Sequence, residues 1–255
     1  MNTPFLTGRV ALVSGAAQGM GAAHARELAR LGAFVAVNDR KPSDQLTELA
    51  QEIDGIAVPG DVSDRSAVEA IVGRTAEAAG DIDILVANHA YMTMAPFLET
   101  EIADWWKIVD TNLGGTLHLI QSVLPGMRRK GEGRIVVVSS EWGITGWPEA
   151  SAYCASKAGA ISLVKTLGRE LGPEKIIINA IAPGVTDTPQ LAVDATAEGV
   201  SLDAMRAAYA QQIPLGRIGT VDDIAEAVAF LCDFRISAMV GQVLQANGGS
   251  TRGRA

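Results

Sequence analysis

The sequence predicts a doubly wound α/β fold, a mostly parallel seven-stranded sheet with helices on both faces. Three observations point there. Short apolar runs alternate with helical stretches along the whole chain. Most of these runs (VALV, FVAV, DILVA, RIVVVS, IIINAI) are continuously apolar rather than alternating, as strands buried on both faces of a parallel sheet must be. The third is an excess of small residues, 40 Ala and 27 Gly among 255, which lets helices lie close to a sheet and to one another.

Strands are expected over 9–14, 34–38, 56–59, 82–87, 134–139, 175–181 and 242–245. The segments between them are rich in Ala, Leu and Glu and often end at Gly, so helices are expected over 21–31, 66–79, 102–130, 152–171, 201–211 and 221–232. Strict alternation of the two element types implies the doubly wound arrangement. No stretch reads as a linker or repeat, so residues 1–255 are read as one domain, with a long loop region at about 187–213. Its longest interruption, 187–200, follows a strand and therefore lies over the carboxyl ends of the sheet, where ligands bind in such folds.

Composition excludes several classes. A content of 48% hydrophobic residues argues against disorder, and a net charge of −8 argues against a nucleic-acid partner bound through its phosphates. Cys154 and Cys232 are too few for a disulfide framework, and His24, His89 and His118 lack zinc-ligand spacing, so no metal is expected. The opening MNTPFLTGR lacks a secretory pattern, and no apolar run reaches the roughly 18 residues of a membrane span. A cytoplasmic protein without a membrane partner is the expectation.

Directly after the first strand comes SGAAQGMG and then a helix. Gly15 allows the tight turn, Gly19 lets backbone N–H groups approach a pyrophosphate, and Gly21 lets the helix pack near the strand, with Gln18 and Met20 between them. Asp39 closes the second strand about 20 residues on, where a carboxylate accepts from an adenosine ribose and repels a 2′-phosphate. NAD is therefore expected in preference to NADP. Arg40 next door is able to pair with such a phosphate, although a solvated loop charge is the plainer account. Asp61 and Val62, after the third strand, are placed to edge an adenine.

Tyr153 and Lys157 lie four apart on one face of a helix. An ammonium near a phenol lowers a pKa that is about 10 in water, which makes the tyrosine usable as an acid or base. Ser140, at the end of the fifth strand, is followed by a loop able to bring its hydroxyl beside Tyr153.

With SGAAQGMG, ANHA at 87–90, Asn112, Ser140, YCASK at 153–157 and PGVTDT at 183–188, the whole chain resembles the short-chain dehydrogenase/reductase family, Rossmann-like and single-domain. The resemblance implies hydride transfer between a nicotinamide and a secondary alcohol or ketone. Ser140 would bond the substrate oxygen, Tyr153 would exchange its proton, and Lys157 would depress the Tyr153 pKa and hold the nicotinamide ribose. Asn112 would hold a water extending the proton relay, Asn88 would pack near the cofactor, and Pro183, Gly184, Val185 and Thr188 would hold the carboxamide end.

Departures from the family pattern are Ser14 for Thr and ANHA for NNAG, so that Ala90 replaces a glycine. A lone histidine at a strand end, His89, reads as a satisfied structural group. Glu141 is able to anchor a substrate hydroxyl or amine, against the plainer account of a solvated or salt-bridged carboxylate. Trp142 and Trp147, with Tyr91, Met92 and Met94, are candidates for an apolar wall over a hydrophobic or alicyclic substrate. Trp105 is a packing residue, and the helices at 102–130 and 152–171 resemble those of the family's subunit contacts, implying a homotetramer, with a dimer next. Two alternatives remain open: an NADPH-dependent reductase of carrier-bound 3-oxoacyl substrates, and a non-catalytic NAD sensor, which usually lacks the Tyr or Lys.

Overall fold

The computed structural model describes residues 4–251; residues 1–3 and 252–255 of the 1–255 unit lie outside the described residues. Seven strands form one sheet, β1 (Val10–Val13), β2 (Phe34–Val37), β3 (Ile56–Ala57), β4 (Ile84–Ala87), β5 (Gly133–Val138), β6 (Ile176–Pro183) and β7 (Val243–Ala246), in the order β3-β2-β1-β4-β5-β6-β7. Every pairing is parallel. The order reverses at β1, so the crevice between the β1 and β4 ends is the switch point where ligands bind.

The helices are α1 (Gly19–Arg30), α2 (Asp44–Glu52), α3 (Arg65–Ala79), α4 (Ile102–Val109), α5 (Gly115–Lys130), α6 (Trp142–Thr145), α7 (Ser151–Leu171), α8 (Pro189–Ala197), α9 (Leu202–Ala210) and α10 (Val221–Leu231). Side chains of successive strand residues point to opposite faces, and β1 shows the result. Ala11 and Val13 join the core under α1 and α10, which includes Ala25, Leu28, Ile224 and Val228. Val10 and Leu12 join the core under α3, α5 and α7, which includes Ile71, Leu119, Val123 and Val164. Burying each Leu, Ile or Val side chain contributes roughly 1.5–3 kcal/mol, and two such cores explain why the strands read as unbroken apolar runs.

Two expected elements differ. The single helix expected over 102–130 is interrupted by a π-helical turn, Asp110–Gly114, at the paired glycines of TNLGG. A Cβ on Gly115 would come within 2.8 Å of Val62 and 2.9 Å of the His89 ring, so this turn must run tight against the strand ends. The interruption expected over 187–200 contains α8, opened by Pro189 with Thr188 as its N-cap. Proline at the first helical position pre-sets φ for a helix, a signal that the strand-to-loop reading passed over. A third, smaller cluster of Leu191, Ala195, Met205, Ile213 and Ile218 packs α8 and α9 together above the sheet.

Candidate active site

The glycine loop connects β1 to α1 and is held from below. Asn88, just past β4, donates from Nδ2 to the carbonyls of Ser14 (3.1 Å) and Gly15 (3.0 Å). Gly15 has φ +63°, and a Cβ there would lie 2.8 Å from the His89 Cα. A Cβ on Gly21 would collide with the Gly15 carbonyl. Gln18 at the α1 N-cap supplies no side-chain cap and the first turn holds no acidic residue, which leaves its N–H groups to an anion. The cradle fits a dinucleotide pyrophosphate.

A cavity of about 480 Å³ continues from this loop across the β2 and β3 ends. Gly15, Gln18, Gly19, Met20, Gly21, Asp39, Arg40, Asp61, Val62, Asn88 and Thr188 line it. Asp39 is half-buried and accepts from the backbone N–H of Ala17 (3.2 Å) and of Arg40 (2.7 Å), whereas the Arg40 side chain is exposed. Asp61 closes a turn, accepting from the Ser63 N–H (2.9 Å) and hydroxyl (2.7 Å).

His89 joins three elements at the cavity floor. Its Nε2 lies 3.1 Å from the Thr111 carbonyl and its Nδ1 2.8 Å from the Ser14 hydroxyl. A carbonyl only accepts, so Nε2 carries the proton and Ser14 donates to Nδ1. The Ser14 oxygen in turn accepts from the N–H of Asn88 and of His89. Burial and the Lys157 charge hold His89 down to about 3. It is a neutral, satisfied structural group linking β1, β4 and the π turn. His24, on the buried face of α1, is held down to about 4 by burial against the opposing pull of Asn88.

Ser140 follows β5, and Tyr153 and Lys157 occupy successive turns of α7. The Tyr153 phenol is pushed up to about 12 by burial, with the neighbouring Ser140 hydroxyl pulling the other way. Lys157 is pushed down to about 8, also by burial. Its Nζ donates to the Val138 carbonyl at 2.7 Å and lies 5.6 Å from the Tyr153 ring centroid. Burial is the largest cause at both groups, raising the phenol and lowering the ammonium, and with its Nζ on the Val138 carbonyl Lys157 has no resolved effect on the phenol.

Asn112 is fixed by its side-chain amide. Its Oδ1 accepts from the Tyr91 N–H (2.7 Å), while Nδ2 donates to the Tyr91 carbonyl (3.0 Å) and the Ser156 hydroxyl (3.1 Å). Both amide donors are consumed, so the side chain fastens the segment after β4 to α7. Its carbonyl accepts from the Thr116 hydroxyl at 2.7 Å.

Beside the first cavity lies a second of about 460 Å³, lined by Ser140, Tyr153, Tyr91, Met92, Glu141, Trp142, Pro183, Gly184 and Val185. Met20, Ala90, Tyr91, Thr188 and Gln190 line both cavities, so a dinucleotide in the first reaches the hydroxyl groups of the second. Lys157 lines neither; it stands behind Tyr153. Trp142 forms the expected wall, edge-on to Tyr153 with ring centroids 6.0 Å apart. Trp147 does not line this cavity but stacks behind Trp142 at 4.8 Å, and Met94 is exposed outside it. Trp105 packs as expected, donating from Nε1 to the Ser151 hydroxyl at 3.2 Å. Sequence reasoning missed Thr186, Gln190, Asp194 and Tyr209. Their signal was positional only, since all four lie in or beside the segment assigned to the carboxyl ends of the strands.

A doubly wound sheet with a glycine-loop cradle opening onto a serine–tyrosine cavity defines a dinucleotide-dependent oxidoreductase. The chain belongs to the short-chain dehydrogenase/reductase family and acts on CH–OH or ketone groups with NAD(P). A family model described as enoyl-(acyl carrier protein) reductase matches residues 15–251. The chain is 37% identical to the cis-4-hydroxycyclohexanecarboxylate dehydrogenase of Sinomonas cyclohexanicum, over 95% of this chain and 96% of the relative. It is 34% identical to the 3-oxoacyl-[acyl-carrier-protein] reductase of Haemophilus influenzae, over 96% and 98%. A short-chain dehydrogenase/reductase of Hericium erinaceus is 38% identical over 94% and 96%. Among the described residues no helix is long and apolar enough to cross a membrane, and no group of three or more His, Cys, Asp or Glu is placed to hold a metal ion.

Proposed function

We propose that this protein is an NAD-dependent dehydrogenase of secondary alcohols, with a hydrophobic or alicyclic substrate, and that residues 1–255 form one unit carrying both cofactor and catalytic sites. The observation that carries it is the adjoining of the two cavities across Met20, Tyr91 and Thr188, with Asp39 at one end and Ser140 and Tyr153 at the other. Bound NAD supplies the hydride acceptor. Gly15, Gly19 and Gly21 admit its pyrophosphate, and Asp39, Arg40, Asp61 and Val62 surround its adenosine end. Lys157, once released from the Val138 carbonyl, would hold the nicotinamide ribose, and Gly184, Val185 and Thr188 would hold the carboxamide.

Ser140 donates to the substrate oxygen and Tyr153 takes the hydroxyl proton as hydride leaves the carbon. Because burial alone raises the phenol, a positive charge must approach Tyr153 for it to act as base near neutral pH. Lys157 carries that charge once its Nζ turns from Val138. Asn112 acts by holding Tyr91 and α7 in register.

A half-buried carboxylate at Asp39 repels a 2′-phosphate, which supports NAD. The alicyclic class is supported by the aromatic and methionine wall and by the printed activity of the Sinomonas relative. A second reading, NADPH-dependent reduction of carrier-bound 3-oxoacyl groups, is favoured by the family model's description and the Haemophilus relative. A panel of cyclic alcohols and a 3-oxoacyl thioester, each assayed with NAD(H) and NADP(H), separates them: NAD-linked oxidation of cyclic alcohols is expected, and NADPH-linked thioester reduction alone would overturn the first reading. Exposed Ile102, Trp106 and Leu117 on α4 and α5 support the proposed homotetramer, and a chain with two cysteines that form no disulfide suits a cytoplasmic setting.

A further inference from the structure

Glu141 is unusual among the lining residues. Only 6% exposed, it sits immediately after Ser140 and lines both the substrate cavity and a side cavity of about 130 Å³ next to it. Among the described residues it forms no salt bridge, which removes the plainer account of a solvated or ion-paired carboxylate. Its Oε2 is occupied, accepting from the Ser250 hydroxyl and from Asn247 Nδ2 at 3.3 Å. Its Oε1 has no hydrogen-bond partner among the described residues. Gly184 keeps this space open: a Cβ there would lie 2.8 Å from the Asn247 Cβ and 3.3 Å from the Glu141 Oε1.

The rest of the wall agrees in sign. Asp194 is the other charged residue lining the substrate cavity, and no Lys, Arg or His is among the described lining residues. Oε1 is not among the fully buried unpartnered atoms, so it opens to the cavity, where a ligand donor is able to reach it.

We propose that Glu141 is a substrate-recognition residue whose Oε1 accepts from a second donor group, a hydroxyl or a protonated amine, on the alcohol being oxidised. The site thus selects diols and amino alcohols over hydroxy acids. This rests on the oxidoreductase reading above and adds the substrate's second group to it.

The test measures calorimetric binding and NADH formation in parallel, on the wild type, Glu141→Gln and Ser250→Ala. The probes are 4-aminocyclohexanol, cyclohexane-1,4-diol and 4-hydroxycyclohexanecarboxylate, each with NAD. The wild type should bind the amine and diol ahead of the carboxylate. Glu141→Gln should cut the amine-to-carboxylate ratio about 10- to 100-fold, the weight of a charge-assisted hydrogen bond. Ser250→Ala, which removes the clamp and keeps the charge, should leave that ratio within about 3-fold.

A wild type that ranks the carboxylate first overturns the proposal, as does a ratio unchanged in Glu141→Gln. An equal collapse in Ser250→Ala makes Glu141 a strut and overturns it too. Binding in the expected order without NADH formation leaves the proposal standing and removes the dehydrogenase reading. NADH formation with a flat order does the reverse.

Discussion

The two cavities are built on different principles. The cofactor cavity is walled by backbone and strand ends: Gly15 and Gly21 are there because a Cβ would strike the chain itself, and Asp39 and Asp61 are each seated by backbone N–H groups. The substrate cavity is walled by side chains from Tyr91–Met92, Glu141–Trp142 and α8–α9, segments far apart in sequence. A wall made of backbone tolerates few residue types at each position, whereas a wall made of side chains changes shape with each substitution. Cofactor recognition is therefore expected to be brittle and substrate recognition to be tunable.

The largest effect should come from Gly21→Val, which drives a side chain into the Gly15 carbonyl. Loss of measurable NADH binding, read by fluorescence titration, is expected; wild-type binding would show that the loop relaxes freely and would remove the contrast. Asp39→Ala should come next, shifting the NAD-to-NADP preference in kcat/KM by about 10- to 100-fold toward NADP, the range of one charged contact. An unchanged ratio would mean that Arg40 or the loop sets cofactor choice.

Asn112→Ala leaves the Tyr91 backbone groups unpaired on the boundary between the cavities. A loss of about 1–3 kcal/mol in denaturant unfolding is expected, with a fall in kcat but little change in NADH affinity. Equal losses of both would show that the boundary is not separable.

Titration sharpens the same contrast. His24 and His89, beneath the cofactor loop, have folded pKa values near 4 and 3, below the ordinary 6.5. The unfolded chain therefore binds their protons first, so stability is lost as pH falls below about 6.5. Lys157, behind the catalytic tyrosine, titrates near 8 instead of 10.5. Its contribution to stability therefore rises from about pH 8 as the unfolded chain alone keeps the proton, until above about 9 the buried Cys232 thiol, pushed up to about 12, acts in the opposite sense. Urea midpoints across pH should lose the acid slope in part in His89→Asn, and the alkaline slope in Lys157→Met; slopes that survive both substitutions would place the titrating groups elsewhere.

The same division governs what could be read from the sequence. β1, β2, β4, β5 and β6 were legible because burial on both faces demands unbroken apolar runs, and the grouping of residues that line the first cavity because glycine spacing and a strand-end carboxylate act locally. The π turn at Asp110–Gly114 was not legible: it arises where Gly115 meets Val62 and His89, contacts made only after folding. Helix α8 was hidden because its N-terminal Pro189 follows a strand exit and resembles a turn. Gln190, Asp194 and Tyr209 reach the substrate cavity through the packing of α8 on α9, which no spacing rule encodes. The burial that shifts Tyr153 and Lys157 was not legible either, because their spacing reports proximity on one helix face and says nothing of desolvation.

The measurement that bears most directly on the central claim is NADH formation by Tyr153→Phe with a cyclic secondary alcohol that the wild type oxidises. With Tyr153 as the proton acceptor, kcat should fall by about 10²- to 10⁴-fold while NADH affinity stays close to wild type. Wild-type turnover in Tyr153→Phe would contradict the account.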